Sequence, residues 1–208
     1  LGYSVVAVAF HPRSSYEEMK RARKIFIDAG LDVASRVDIS VASRNGLLKE
    51  LRALRRSFEI VAVEYNSIEA LSVAQHDRRV DIIYLDLAST SRIFPLKRAS
   101  SSSAHLEINL STLTETPQLP EHYQLMRIAR QIAKAKENRF RIVVSSGARN
   151  PMYLRAPRDM AAVGTLLGLG REEAFKSISA IPISLVNKNR MKLGSPYTGE
   201  NAKVMATS

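Results

Sequence analysis

The sequence has no cysteine. That excludes disulfides, zinc–thiolate centres and cysteine nucleophiles at once. Its four histidines, His11, His76, His105 and His122, show no H-x-H or H-E-x-x-H spacing, so a metal centre would have to be assembled from scattered positions. No apolar run approaches the roughly 20 residues that cross a bilayer, and no signal-peptide pattern is visible; a cytoplasmic location with no membrane partner is expected. A glycine-rich phosphate loop is also lacking: Gly164, Gly168 and Gly170 do not follow a strand, and their spacing reads as helix packing and termination. Ser145 and Ser146 lack the G-x-S-x-G elbow of a hydrolase and read as the end of a strand. Negative charge is the scarce sign. Lys+Arg number 31 against 20 Asp+Glu, a formal net charge of +11. The excess points to a polyanionic partner, nucleic acid first, an acidic protein or membrane surface second.

What is present is enough for one sizeable core: 208 residues, 45% of them hydrophobic. Apolar, β-branched runs predict strands at Tyr3–Phe10, Val33–Val41, Phe58–Tyr65, Val80–Leu87, Ala104–Ser111 and Phe140–Val144. Amphipathic stripes between them predict helices: Met19, Ala22, Phe26 and Ala29 after a Ser14 or Ser15 cap; Leu47, Leu48, Leu51 and Leu54; Ile68, Leu71 and Ala74 after Ser67; and a long helix over Glu121–Glu137. Phe94-Pro95-Leu96 reads as a short helix or turn, Ser100–Ser103 as a flexible connector and Thr112–Pro120 as a loop. This alternation argues for parallel strands with helical crossovers. It leaves two architectures open, a TIM-like barrel and an open doubly wound sheet. The expected layout is one domain over residues 1–187, ending in a short helix begun at Pro182–Val186, and a polar, fraying tail over 188–208. Because the chain opens at Leu1-Gly2-Tyr3, almost inside a strand, a preceding first strand is expected upstream.

The chain is organised around Arg141–Arg171, a buried strand, a polar loop and a helix started by Pro157 and Asp159. The loop holds Arg149, Asn150, Tyr153, Arg155 and Arg158. Guanidinium forks suit phosphates and a tyrosine ring can stack on an unpaired base; the bland alternative ties Arg155 or Arg158 to Asp159 or a strand carboxylate. Lys97 and Arg98, in a partly basic segment, join the candidate RNA-binding set. Carboxylates fall near the C-terminal ends of strands at Asp38, Glu64, Asp86 and Glu107, the enzyme position in a barrel. They either bind metal and do acid–base chemistry or serve as partners for nearby arginines. His105 reads as a strand residue satisfied by its neighbours.

The same stretch carries a family resemblance. V-V-S-S-G-A, then L-R-A-P-R-D, then A-A-V-G-T-L-L-G-L, then E-E-A-F-K-S-I-S, with Ala174, Ser177, Ile178 and Ser179 in its last segment, resembles the thirty-kilodalton protein subunit of ribonuclease P, called protein component 3 in archaea. The ordered set spans Arg141–Ser179, and the βα pattern of the remainder is compatible with it. The resemblance implies a TIM-barrel-like α/β fold, here with its first strand missing. It implies a subunit of a ribonucleoprotein endonuclease that removes the 5′ leader of precursor tRNA. The catalytic Mg²⁺ would sit on the RNA subunit, and this chain would carry no catalytic residue, metal or cofactor of its own. Its implied partners are the ribonuclease P RNA, a small ferredoxin-like protein subunit in a heterotetramer, other ribonuclease P proteins and, indirectly, precursor tRNA. Two other functions stay open on the residues alone: a metal-dependent TIM-barrel hydrolase or phosphoesterase using the strand-end carboxylates with His11 or His105, and a basic interaction protein without RNA specificity.

Overall fold

A computed structural model of the chain describes residues 2–84, 96–97, 99, 104–111, 113 and 121–194. Six strands, β1 (Val5–Phe10), β2 (Asp32–Ile39), β3 (Ile60–Glu64), β4 (Ile82–Tyr84), β5 (His105–Asn109) and β6 (Ile142–Ser145), form one sheet in sequence order. All five pairings are parallel. The crossovers described are α1 (Tyr16–Asp28), α2 (Arg44–Leu54), α3 (Ile68–Ala74) and α4 (Glu121–Glu137); α5 (Pro157–Leu166), α6 (Arg171–Ile178) and α7 (Ala180–Leu193) follow β6. Asp86, Arg92, Arg98, Phe94-Pro95, Ser100–Ser103 and all of Thr112–Pro120 except Leu113 lie outside the described residues.

Local chemistry sets the helix starts. Ser15 and Glu18 form a reciprocal capping box on α1, and the hydroxyls of Ser43 and Ser67 accept from the third amides of α2 and α3. Pro157 opens α5, where its missing N–H is no loss. The stop signals at the end of α5 divide their work. Gly168 takes φ +103, a value only glycine adopts readily, whereas Gly170 is the N-cap of α6. Gly164 packs instead: a Cβ there would stand 3.3 Å from Leu169 and 3.5 Å from Ala174.

Side-chain alternation builds two apolar layers. Val37, Val61, Val63, Ile83, Leu106, Ile108, Ile142 and Val144 face outward to meet Leu47, Leu51, Leu71, Ile128 and Ile132 of the helices. On the inner face Ala34, Ile60, Ala62 and Ile82 cluster with Leu185 and Val186 of α7. The sheet is curled, and two contacts prove it. Arg36 of β2 bonds directly to Glu107 of β5, although β3 and β4 lie between them and a flat sheet would hold those strands about 14 Å apart, three steps of roughly 4.8 Å. The Tyr3 hydroxyl, just ahead of β1, donates to the Arg155 carbonyl beyond β6, so the two ends of the sheet approach one another. The expected barrel-like architecture is therefore the one observed: a half-barrel of parallel strands wrapped by helices.

The C-terminal helix corrects the expected tail. It does not stop near Val186 but runs to Leu193, ending on Gly194 at φ +65. Asn189 and Arg190, which read as tail residues, are buried at 0% and 4% exposure. Arg190 donates to Asp32 (2.6 and 3.0 Å), to Glu59 (2.5 Å) and to the Val33 carbonyl (3.0 Å), and Asn189 donates to the Glu59 carbonyl (2.8 Å). Asp32 and Glu59 stand at the N-terminal ends of β2 and β3, so α7 seals that end of the half-barrel.

Candidate functional site

The predicted basic loop leaves the C-terminal end of β6. It is held by close backbone approach: Gly147 sits at φ +58, and a Cβ on it would come within 1.7 Å of Asn109 Oδ1, the side chain at the end of β5. No other residue fits there without displacing Asn109. Asn150 works inside the loop, its Oδ1 accepting from the Met152 amide (2.9 Å) and its carbonyl from Tyr153 (3.2 Å), which turns the chain through the 3₁₀ segment Pro151–Tyr153. Arg155 donates from Nη1 to the carbonyls of Met152 (3.0 Å) and Leu154 (3.1 Å). These bonds leave Nη2 and Nε without a described partner. Arg149 and Arg158 are exposed. Arg158 has no ion pair among the described residues. Tyr153 is half-buried and, with Leu110, Leu113, Met160 and Val163, lines a largely apolar cavity of about 160 Å³ that Arg155 and Asp159 border. The exposed apolar groups of the loop are Met152 (83%) and Leu154 (45%). A ring packed into the body is a poorer stacking platform than the sequence implied, and sequence periodicity carries no signal for that inside a loop.

The structure brings Arg149, Asn150, Tyr153, Arg155 and Arg158 together and leaves Lys97 elsewhere. The Lys97 amide donates to Gln75 Oε1 (2.8 Å), beyond the C-terminal end of α3, and the nearby Ala99 amide donates to Asn138 ahead of β6. Lys97 thus belongs to the N-terminal end of the sheet, opposite the loop.

At the C-terminal mouth of the half-barrel two of the strand-end carboxylates, Asp38 and Glu107, are committed to one arginine, while Glu64 at the end of β3 makes no ion pair among the described residues. Arg36 Nη1 and Nη2 fork onto the Glu107 oxygens at 2.6 and 2.7 Å, Nε reaches Asp38 at 2.6 Å, and the guanidinium lies 5.6 Å from the centroid of the Tyr84 ring. Glu107 is 2% exposed. Burial pushes its carboxyl up, but the Arg36 charge and fork, with Ser145 beside it, outweigh burial and hold it below the usual range. Asp38 goes the other way: burial and the Glu107 charge raise it more than Arg36 lowers it. The Tyr84 phenol is raised, by burial first and then by the Asp38 and Glu64 carboxylates. No group of three or more metal-ligating side chains occurs among the described residues. For Asp38 and Glu107 the arginine-partner reading is the correct one. Arg36 was missed in the sequence, yet the period-two pattern of β2 puts it on the face of Ala34 and Asp38, where a lone basic residue signals a buried partner. His105 is a buried strand residue as expected, but neither ring nitrogen has a partner among the described residues. Burial first, and Arg141 and Lys188 with it, lower its pKa; the Asp81 backbone and charge oppose them. Among the described residues no helix is long and apolar enough to cross a membrane.

Comparison with known proteins bears on this geometry. Residues 1–193 match the family model described as RNase P subunit p30. Ribonuclease P protein component 3 of Methanosarcina acetivorans is 24% identical over 192 residues, covering 91% of this chain and 79% of that protein. The protein of the same name from Methanosarcina mazei is 24% identical over 208 residues, covering 99% and 85%. Among solved structures, a chain of the cryo-EM structure of archaeal ribonuclease P with mature tRNA superposes with a TM-score of 0.81 at 18% identity, covering 100% of this chain and 91% of that one. At that identity the superposition establishes the fold, a TIM-barrel-like α/β half-barrel.

Proposed function

The chain belongs to the RNase P subunit p30 family, and from that premise we propose that it is a protein subunit of ribonuclease P that supports the catalytic RNA and does not itself cut. The match of the family model over residues 1–193 carries the proposal. The charge of +11 supports it, because a folded RNA core must be held against its own phosphate repulsion. So does the mouth of the half-barrel. An enzyme of this fold keeps its reacting groups there, and here Glu107 and Asp38 are engaged by Arg36. The metal-dependent hydrolase reading needs those carboxylates free to take a cation. In our reading the Mg²⁺ that drives hydrolysis belongs to the RNA subunit. The chain works with the other protein subunits, a small ferredoxin-like one among them in a heterotetramer, on precursor tRNA in the cytoplasm.

In the loop after β6, the arginines take phosphates while Asn150 and the backbone keep the turn. Removing one arginine–phosphate pair should reduce the salt dependence of RNA affinity by about one unit of slope. The test is affinity for ribonuclease P RNA against salt for Arg149→Ala/Arg155→Ala, with circular dichroism melting as the control. A shallower slope and weaker binding at unchanged melting are expected. Unchanged slope and affinity would assign the loop to structure or to a protein partner. In parallel, the purified chain with Mg²⁺ should leave precursor tRNA intact and should raise cleavage when added to the RNA and the remaining proteins. Cleavage by the chain alone would overturn the supporting role.

A further inference from the structure

The N-terminal end of the sheet carries a second concentration of positive charge that the loop after β6 does not touch. It is assembled from distant parts of the sequence. Arg78 stands in the turn before β4, and Arg139 and Arg141 stand immediately before β6. Lys188 and Lys192, one helical turn apart, lie on α7, which Arg190 and Asn189 clamp to the start of β2 and β3. Lys97 reaches the same end. All six side chains are exposed, and none has an ion pair among the described residues. The carboxylates nearby are already taken. Asp81 accepts from Arg55 and from the Val61 amide, Asp77 holds Arg79 at 2.7 Å, and Asp32 and Glu59 hold Arg190. At Lys192 burial first, and then the charges of Lys188, Arg55 and Arg78, hold the ammonium below the ordinary lysine value, against the pull of Asp81. Like charges gathered on one face repel one another, a cost that the carboxylates here, already engaged by Arg55, Arg79 and Arg190, offset only in part. A polyanion would offset the rest.

We propose that this face, centred on Arg78, Arg141, Lys188 and Lys192, is a second nucleic-acid phosphate-binding surface at the end of the half-barrel opposite the loop after β6. The chain would then bridge two separate stretches of RNA backbone. RNA is favoured over an acidic protein because the cations come from several elements and form a broad, charged end, whereas the fully buried core of a protein interface is depleted in charge. The proposal rests on the ribonuclease P reading for the identity of the RNA, not for the existence of the face.

The experiment therefore uses a generic probe. A labelled RNA duplex of about 16 base pairs, long enough to offer backbone across successive grooves, is titrated with the full chain at several salt concentrations between about 50 and 200 mM. Lys188→Gln/Lys192→Gln should flatten log K against log salt by about 1.5 units, at roughly 0.7–0.9 per neutralised phosphate. Arg78→Gln/Arg141→Gln, which leaves α7 untouched, should do the same and decides the matter if the α7 pair fails to fold. Each effect should add to that of Arg149→Ala/Arg155→Ala, as independent sites do. A slope indifferent to both pairs overturns the proposal. So does a poly-glutamate probe that binds more tightly than the duplex and loses its affinity in the same variants, since the face would then be made for an acidic protein. Failure of the ribonuclease P reading shows elsewhere, as absent stimulation in the reconstituted cleavage assay with duplex binding intact.

Discussion

The Arg36–Glu107 pair carries the sharpest prediction about the mouth of this half-barrel. Both side chains are withdrawn from water, at 12% and 1% exposure, and the fork spans the concave face from β2 to β5. Glu107→Ala strands a guanidinium over Tyr84 with only the partly exposed Asp38 for company. Breaking a buried pair from one side costs about 3–5 kcal/mol. At roughly 2–4 °C per kcal/mol for a chain of this size, Tm should fall by about 6–20 °C. Arg36→Met should cost a similar amount, because Glu107 then keeps a buried charge with no counterion. Arg36→Met/Glu107→Met removes both charges and fills the space with flexible apolar chains; such replacements are often neutral or stabilising, so the double variant should lie within about 1–2 kcal/mol of the wild type. Urea denaturation of the four proteins gives the coupling energy directly. Independent sites would add to within roughly 0.3–0.5 kcal/mol, so a double variant as unstable as the two singles summed refutes the argument. The functional arm is as pointed. If the pair only shapes the barrel, the folded double variant stimulates ribonuclease P as the wild type does; loss of stimulation at intact stability would place Arg36 or Glu107 in contact with RNA or substrate.

Two further outcomes follow from the same chemistry. The folded Glu107 carboxyl lies below its unfolded value of about 4.3, so its contribution to stability is fully present above that pH and is lost as pH falls through the folded value; the Tm gap between wild type and Glu107→Gln should be wide at pH 7 and should close below about pH 4, and a gap constant with pH would contradict the pair's ionic character. Arg190→Met should destabilise by about 3–5 kcal/mol and speed hydrogen exchange along α7, since Asp32 and Glu59 lose their clamp; exchange in α7 unchanged would mean that Leu185 and Val186 hold the helix alone.

Much of this architecture is local in origin and was legible in the chain. Strand and helix periods, the Ser15, Ser43 and Ser67 caps, Pro157 at a helix start and the strand–loop–helix around Arg149–Arg158 depend on residues within a few positions of each other, as backbone hydrogen bonding and side-chain alternation do. The excess of positive charge was equally plain, and the order of motifs from Arg141 to Ser179 named the family. Tertiary structure alone decided the rest, because the partners are far apart in sequence. Nothing near Arg190 reveals Asp32 and Glu59, so a buried helix looked like a polar tail. Asp38 and Glu107 stayed open between acid–base groups and arginine partners until curling of the sheet set Arg36 between them. Lys97 was grouped with Arg149 until its backbone bond to Gln75, just past α3, placed it at the opposite end. In each case the sequence supplied a charge, and the fold, by choosing its neighbours and withdrawing water from them, determined whether that charge is spent inside the protein or left for a partner outside it.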